Sequence, residues 1–214
     1  MQIQEAMENE PLIDAATRRE LSTLYRAEGR HYHGLTHIQA LLTLAREQRA
    51  ALADPEAVEA AIWFHDAIYD SRKPDNEAQS AALAIRMLEG RTNKDRIGRI
   101  AAMIEATATH ELPVELDPAA RRDAALFLDM DLSILGAEPE AFDAYERAVR
   151  LEYSWVPEPA WRAGRVAVLK KFLARPHIFH SDEYRACCEA RARQNIERSV
   201  LALERSVQAD PRGT

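Results

Sequence analysis

The sequence predicts an all-α protein, a single-domain helical bundle of about nine helices. Three observations predict it: apolar residues recur at helical spacing, glycines number only 7, and capping residues punctuate the pattern at short intervals. Straight-chain residues lose little rotamer freedom in a helix, whereas strands draw on β-branched runs that are scarce here. With 214 residues and 47% hydrophobic content the chain can build one substantial core. The expected helices cover about 12–29, 36–52, 55–70, 76–89, 93–110, 118–135, 139–153, 158–174 and 181–206. One domain spans 1–207, and residues 208–214 form a polar tail expected to fray.

The element ends rest on local chemistry. Thr36 with Gln39 has capping-box spacing, in which the amide three positions on reaches back to the cap. Asp54 before Pro55, and Asp117 before Pro118, each place a capping carboxylate ahead of a proline whose missing N–H costs nothing in the first turn. Gly90 and Gly136 fall just beyond apolar stretches, where a left-handed C-cap is expected.

Composition narrows the function classes. A net charge of -7 and a pI near 5.6 argue against a surface for duplex nucleic acid, which needs concentrated Lys and Arg. The opening MQIQEAMENE has neither the basic start nor the apolar stretch of a signal peptide, and no run approaches the roughly 20 apolar residues that span a bilayer. A cytoplasmic protein with no membrane partner is the expectation. Cys187 and Cys188 are neighbours, so an ordinary disulfide between them is awkward, and neither a disulfide framework nor a thiolate zinc site is expected.

The histidines carry the first chemical signal. His31, His33 and His37 cluster, yet such a run caps helices or sits in solvent as readily as it binds metal. His65 differs, because the stripe Val58, Ala61, Ile62 leads to it at helical steps and directs it inward. Asp66 follows, also one turn after Ile62. Burying such a pair without partners costs several kcal/mol, and a metal ion satisfies both groups at once. Further on, Ala120, Ala124, Phe127 and Leu128 define a stripe that Asp131 continues, so Asp131 is expected to point inward. Asp129 lies roughly 160° round the helix from it and suits an exposed position, although a bend would exchange the two.

These residues sit in longer motifs: HYHGLTHI at 31–38, AAIWFHDAIYD at 60–70, DNEAQSA at 75–81, FLDMDLSILG at 127–136, EYSWVPEPAWRAGRVAVLKKFL at 152–173 and ARARQNIE at 190–197. Over nearly the whole chain the text resembles a bacterial branch of the HD superfamily of predicted metal-dependent phosphohydrolases. The resemblance implies an HD-type bundle with metal ligands at His37, His65, Asp66 and Asp131, Asp129 being the substitute for the last. Two imidazoles and two carboxylates accept Mn, Mg, Co, Ni, Fe or Zn with loose selection. The implied reaction is cleavage of a phosphate ester or anhydride of a small molecule, a nucleotide above all, by metal-activated water. Asp70 and Glu77 are the expected proton donors to the leaving group, beside Asp66 at the metal. Arg72 and Lys73 in the following loop, with His33 and His110, are expected to line the substrate site. His110 is placed there because Met103, Thr107 and His110 share one helix face. A di-iron oxygenase on the same fold and a non-catalytic nucleotide-binding module are the alternatives, and the long amphipathic helices allow a homodimer. Trp161, Val168, Leu169 and Phe172 fall at helical spacing and read as core.

Overall fold

The computed structural model describes residues 11–208, so the sequence reading of residues 1–10 and of the tail at 209–214 lies outside it. The described residues are helical throughout, with one isolated bridge between Glu89 and Thr92. The α-helices are α1 Ala15–Leu24, α2 Leu35–Glu47, α3 Pro55–Phe64, α4 Asn76–Leu88, α5 Lys94–Ala106, α6 Pro118–Leu132, α7 Pro139–Glu152, α8 Glu158–Leu173 and α9 Asp182–Gln208. Short 3₁₀ turns cover Arg49–Ala51 and Ser133–Gly136. None of the described helices is long and apolar enough to cross a membrane.

The chain gathers into two compact units, one ending at Met130 and the other beginning at Asp131, so the division falls inside α6. In the first unit α1, α2, α4 and α5 all pack on α3. The reason is legible in the run AVEAAIWF: Ala57, Val58, Ala60, Ala61, Ile62, Trp63 and Phe64 are all buried, only Glu59 of the run reaches solvent, and a helix so largely apolar belongs inside. Each large side chain there contributes about 1.5–3 kcal/mol of burial, and the alanines let neighbouring backbones approach.

The start of α3 is held twice. Asp54 Oδ1 accepts the Ala57 N–H at 3.2 Å, as its capping role requires. Asp123, which the sequence reading passed over, is only 3% exposed and accepts the Ala53 and Asp54 N–H groups, each at 2.8 Å. Asp54 also accepts from Arg96 Nε at 2.7 Å. Asp117 caps α6 by accepting from the N–H groups of Ala119 and Ala120 at 2.9 and 3.0 Å.

In the second unit α8 packs on α9, and the Ser133–Gly136 turn seats against α9 and α7. Buried Asn195 fixes that turn by donating to the Leu135 and Ala137 carbonyls, each at 2.9 Å. Arg165, on α8, donates to the Tyr145 hydroxyl at 2.8 Å and to Glu146, which also accepts from Ser199 Oγ at 2.9 Å.

Several local expectations are corrected. Gly34, not Thr36, is the N-cap of α2; the helix begins at Leu35 and leaves Thr36 exposed inside the first turn. Gly90 is left-handed, with φ +78°, but Gly136 is not. Gly136 serves closeness, since a Cβ there would come 2.7 Å from the Cys188 Cβ. Cys187 and Cys188 do pair, as a disulfide between neighbours on α9, with Cys188 pressed against Gly136. Val168 is exposed while Trp161 and Leu169 are core. The helix expected to reach residue 70 stops at Phe64, and the one expected to reach 110 stops at Ala106.

Burial raises the pKa of the Asp54 carboxyl, yet the Arg96 and Ala57 hydrogen bonds, with the charges of Arg96 and Arg99, outweigh it and leave it below 3.8. A carboxyl depressed on folding contributes stability above its unfolded value and loses it as pH falls through the folded one. Asp54→Asn keeps a capping oxygen but removes the charge that faces Arg96 and Arg99, and is therefore expected to cost up to about 1 kcal/mol at neutral pH, with a smaller difference from wild type in acid melts below the ordinary carboxylate range. Equal losses at all pH values in thermal denaturation would refute that account.

Candidate metal centre

His37 stands on the first turns of α2, buried, with its ring against Tyr32 at 4.9 Å. His65 is the residue that closes α3, 1% exposed, and Asp66 follows in the turn. The HD pair thus occupies the end of the most buried helix rather than its middle. Its inward direction survives because Ala67 N–H still bonds back to the Phe64 carbonyl and continues the curl for one more turn.

The His65 ring has a fixed orientation. Its Nδ1 lies 2.9 Å from the Ile62 carbonyl oxygen, an acceptor only, so Nδ1 carries a proton and donates. In the neutral ring Nε2 is then a bare lone pair. That lone pair faces His37 Nε2 at 3.3 Å and Asp66 Oδ2 at 3.0 Å, while Asp66 Oδ2 is 3.9 Å from His37 Nε2. With His65 Nε2 bare, the cluster is satisfied by a hydrogen carried on His37 Nε2 or by a metal ion at its centre. The spacing suits a metal: two ligand nitrogens about 2.1 Å from one ion, at angles between octahedral and tetrahedral, stand about 3.0–3.4 Å apart.

Asp131 completes the set. Ligand atoms of His37, His65 and Asp131 all lie within 4.8 Å of one another. Asp131 is carried on α6. These three can hold a metal ion, and Asp66 lies in contact with both imidazoles. When the neighbouring imidazoles are protonated, the charges of His65, His33 and His37 and a hydrogen bond from His65 outweigh the effect of burial and hold Asp66 well below the usual carboxylate range. Asp129, expected to be exposed, is fully buried instead.

The remaining sequence candidates are placed as follows. His33 is half-buried and stacks on Tyr69 with ring centroids 4.5 Å apart. Asp70 is not one helical turn beyond Asp66, because α3 has ended; its Oδ1 accepts the Arg72 N–H at 3.0 Å and shapes the loop. Arg72 and Lys73 are exposed in that loop, and Glu77 is half-buried in the first turn of α4. His110 leaves the α5 face assigned to it and adopts φ +53°, with its N–H on the Ala106 carbonyl at 2.7 Å, the left-handed closure of a helix end.

Three positioning residues escaped the sequence reading. Arg30 donates to the Asp66 and Ala67 carbonyls at 2.6 and 2.9 Å and to the His33 carbonyl at 2.9 Å. Its guanidinium lies over the rings of Tyr25 and Tyr69, at 5.1 and 5.4 Å. Ser80 Oγ accepts the Ile68 N–H at 3.0 Å, and Asn76 brackets Asp70, accepting its N–H and donating to its carbonyl, both at 3.0 Å. Asn76 and Ser80 are one turn apart on α4, and DNEAQSA was the only signal of them. Within the second unit, burial raises the pKa of Tyr145, and the Glu146 and Asp131 carboxylates add to it against Arg165.

No family model, curated protein or solved structure matches the chain. The site therefore speaks through its own geometry.

That geometry separates the two aspartates experimentally. Asp131→Ala is expected to abolish stoichiometric binding of Mn or Co, measured by calorimetry, with little loss of stability. Asp129→Ala should lower the melting temperature through a cost of about 1–3 kcal/mol, since it strips the partners of a buried carboxylate. Retention of metal by Asp131→Ala would exclude it as a ligand. Arg30→Lys is expected to weaken metal affinity by roughly 10-fold or more, because outer-shell supports of ligands commonly carry that much.

Proposed function

We propose that this protein is a metal-dependent phosphohydrolase of the HD type, acting on a phosphate ester or anhydride of a small molecule, a nucleotide above all. The observation that carries the reading is the convergence of the His37 and His65 Nε2 atoms at 3.3 Å with Asp66 Oδ2 beside them. The motifs at 31–38, 60–70 and 127–136, which resemble the HD superfamily, support it from the sequence side.

His37, His65, Asp66 and Asp131 hold the ion. A divalent cation there supplies Lewis-acid polarisation of a phosphoryl oxygen and lowers the pKa of water. The Ile62 carbonyl keeps His65 in the tautomer that offers Nε2, and Arg30 keeps the Asp66 turn in register with it. Asp70 orients the loop that presents Arg72 and Lys73 to a substrate phosphate, and Glu77, at the start of α4, donates the proton to the leaving group. His33, bordering Asp66, contributes to the wall of the substrate site.

The decisive assay is phosphate or pyrophosphate release from a panel of nucleotides and generic esters, with Mn, Co, Ni or Mg, comparing wild type with Asp66→Ala. Turnover that requires metal and falls to background in a folded Asp66→Ala variant is the expected result. A folded, metal-loaded wild type inactive on the whole panel would overturn the reading. Two irons per chain with a bridging-oxygen optical band would replace it with oxygenase chemistry.

A further inference from the structure

We infer that the first unit carries a second binding site, for a small molecule bearing two or more phosphate groups, in a groove formed by α1, α2 and α3. The inference is independent of the metal-centre reading.

The groove encloses about 660 Å³, within the range of small-molecule sites. Each helix lends it one ridge. Arg18 and Arg26 come from α1 and the residues just after it, Leu42 and Arg46 from α2, Arg49 from the 3₁₀ turn, and Glu59 and Trp63 from α3. On α2 these positions lie roughly 140–180° round the helix from His37, so the groove uses the face of α2 opposite the metal centre.

Its charge is what selects the ligand. Four guanidinium groups face one carboxylate, in a chain whose net charge is -7. Glu59 engages only Arg18, at 3.3 Å, and Arg26, Arg46 and Arg49 make no side-chain hydrogen bond or ion pair among the described residues. Three arginines without an acidic partner concentrate positive potential along one groove. The planar fork of arginine matches phosphate oxygens two at a time, which favours phosphate over carboxylate as the recognised group. Because the arginines stand on separate elements, a single phosphate meets only part of the set, whereas linked phosphates reach several.

Trp63, 7% exposed, contributes to the floor of the groove beside Leu42 and so reports on its occupation.

The test uses the full chain and inorganic tripolyphosphate, followed by calorimetry and by tryptophan fluorescence, with inorganic phosphate and citrate as comparators. Wild type is expected to bind tripolyphosphate at least tenfold more tightly than phosphate or citrate, with affinity falling as salt rises. Arg46→Ala/Arg49→Ala and, separately, Arg18→Ala/Arg26→Ala should each weaken it at least tenfold. His65→Ala should leave it within twofold. All four arginines are exposed, and circular dichroism and melting verify that the variants fold. Absence of wild-type binding to millimolar concentration, retention in both arginine variants, or an equal loss in His65→Ala would each overturn the inference.

Discussion

The constraint on which the first unit depends is that α3 buries every residue from Ala57 to Phe64 except Glu59. A helix buried over that length settles its end groups largely with side chains from elsewhere. Asp123 takes the N–H groups that precede α3, and Arg30 takes the carbonyls that follow it. Ser80 then pairs with the backbone of Ile68 and Asn76 with that of Asp70. The HD pair lies at the junction of these supports, where an apolar run has just ended and polar groups first become tolerable.

The same junction explains the electrostatics. A carbonyl at Ile62 dictates which nitrogen of His65 is bare, and this choice turns its lone pair toward His37 Nε2 and Asp66 Oδ2. A proton or a metal ion between them satisfies these groups, so the orientation set at the end of α3 prepares the pair for either.

Much of this was legible in the sequence, for identifiable reasons. The all-α class followed from helical periodicity and capping residues, and Asp54 and Asp117 act as caps because Asp-Pro specifies both the acceptor and the first turn. His65 was legible because an apolar stripe runs straight into it. What stayed hidden depends on contacts distant in sequence. Asp123 looked like any surface acid, though its partners are about 70 residues away, and Arg30 looked like a loop charge. Helix ends at Phe64 and Ala106 were missed because periodicity continued past them; the stop at Phe64 is set by tertiary hydrogen bonds and that at Ala106 by the left-handed backbone of His110, not by a glycine. Asp129 was misplaced because α6, exposed at Arg121 and Arg122, is buried without a break from Leu126 to Met130, where the stripe argument finds no exposed face.

Asp123 and Arg30 together act as a clamp at each end of one rod. Sliding α3 by a single residue would carry His65 about 1.5 Å along the helix axis, several times the ~0.2 Å within which metal–ligand distances hold. The two clamps therefore work as a vernier: charged side chains far apart in the chain fix the axial position of one helix, and with it the bite of the imidazole it carries.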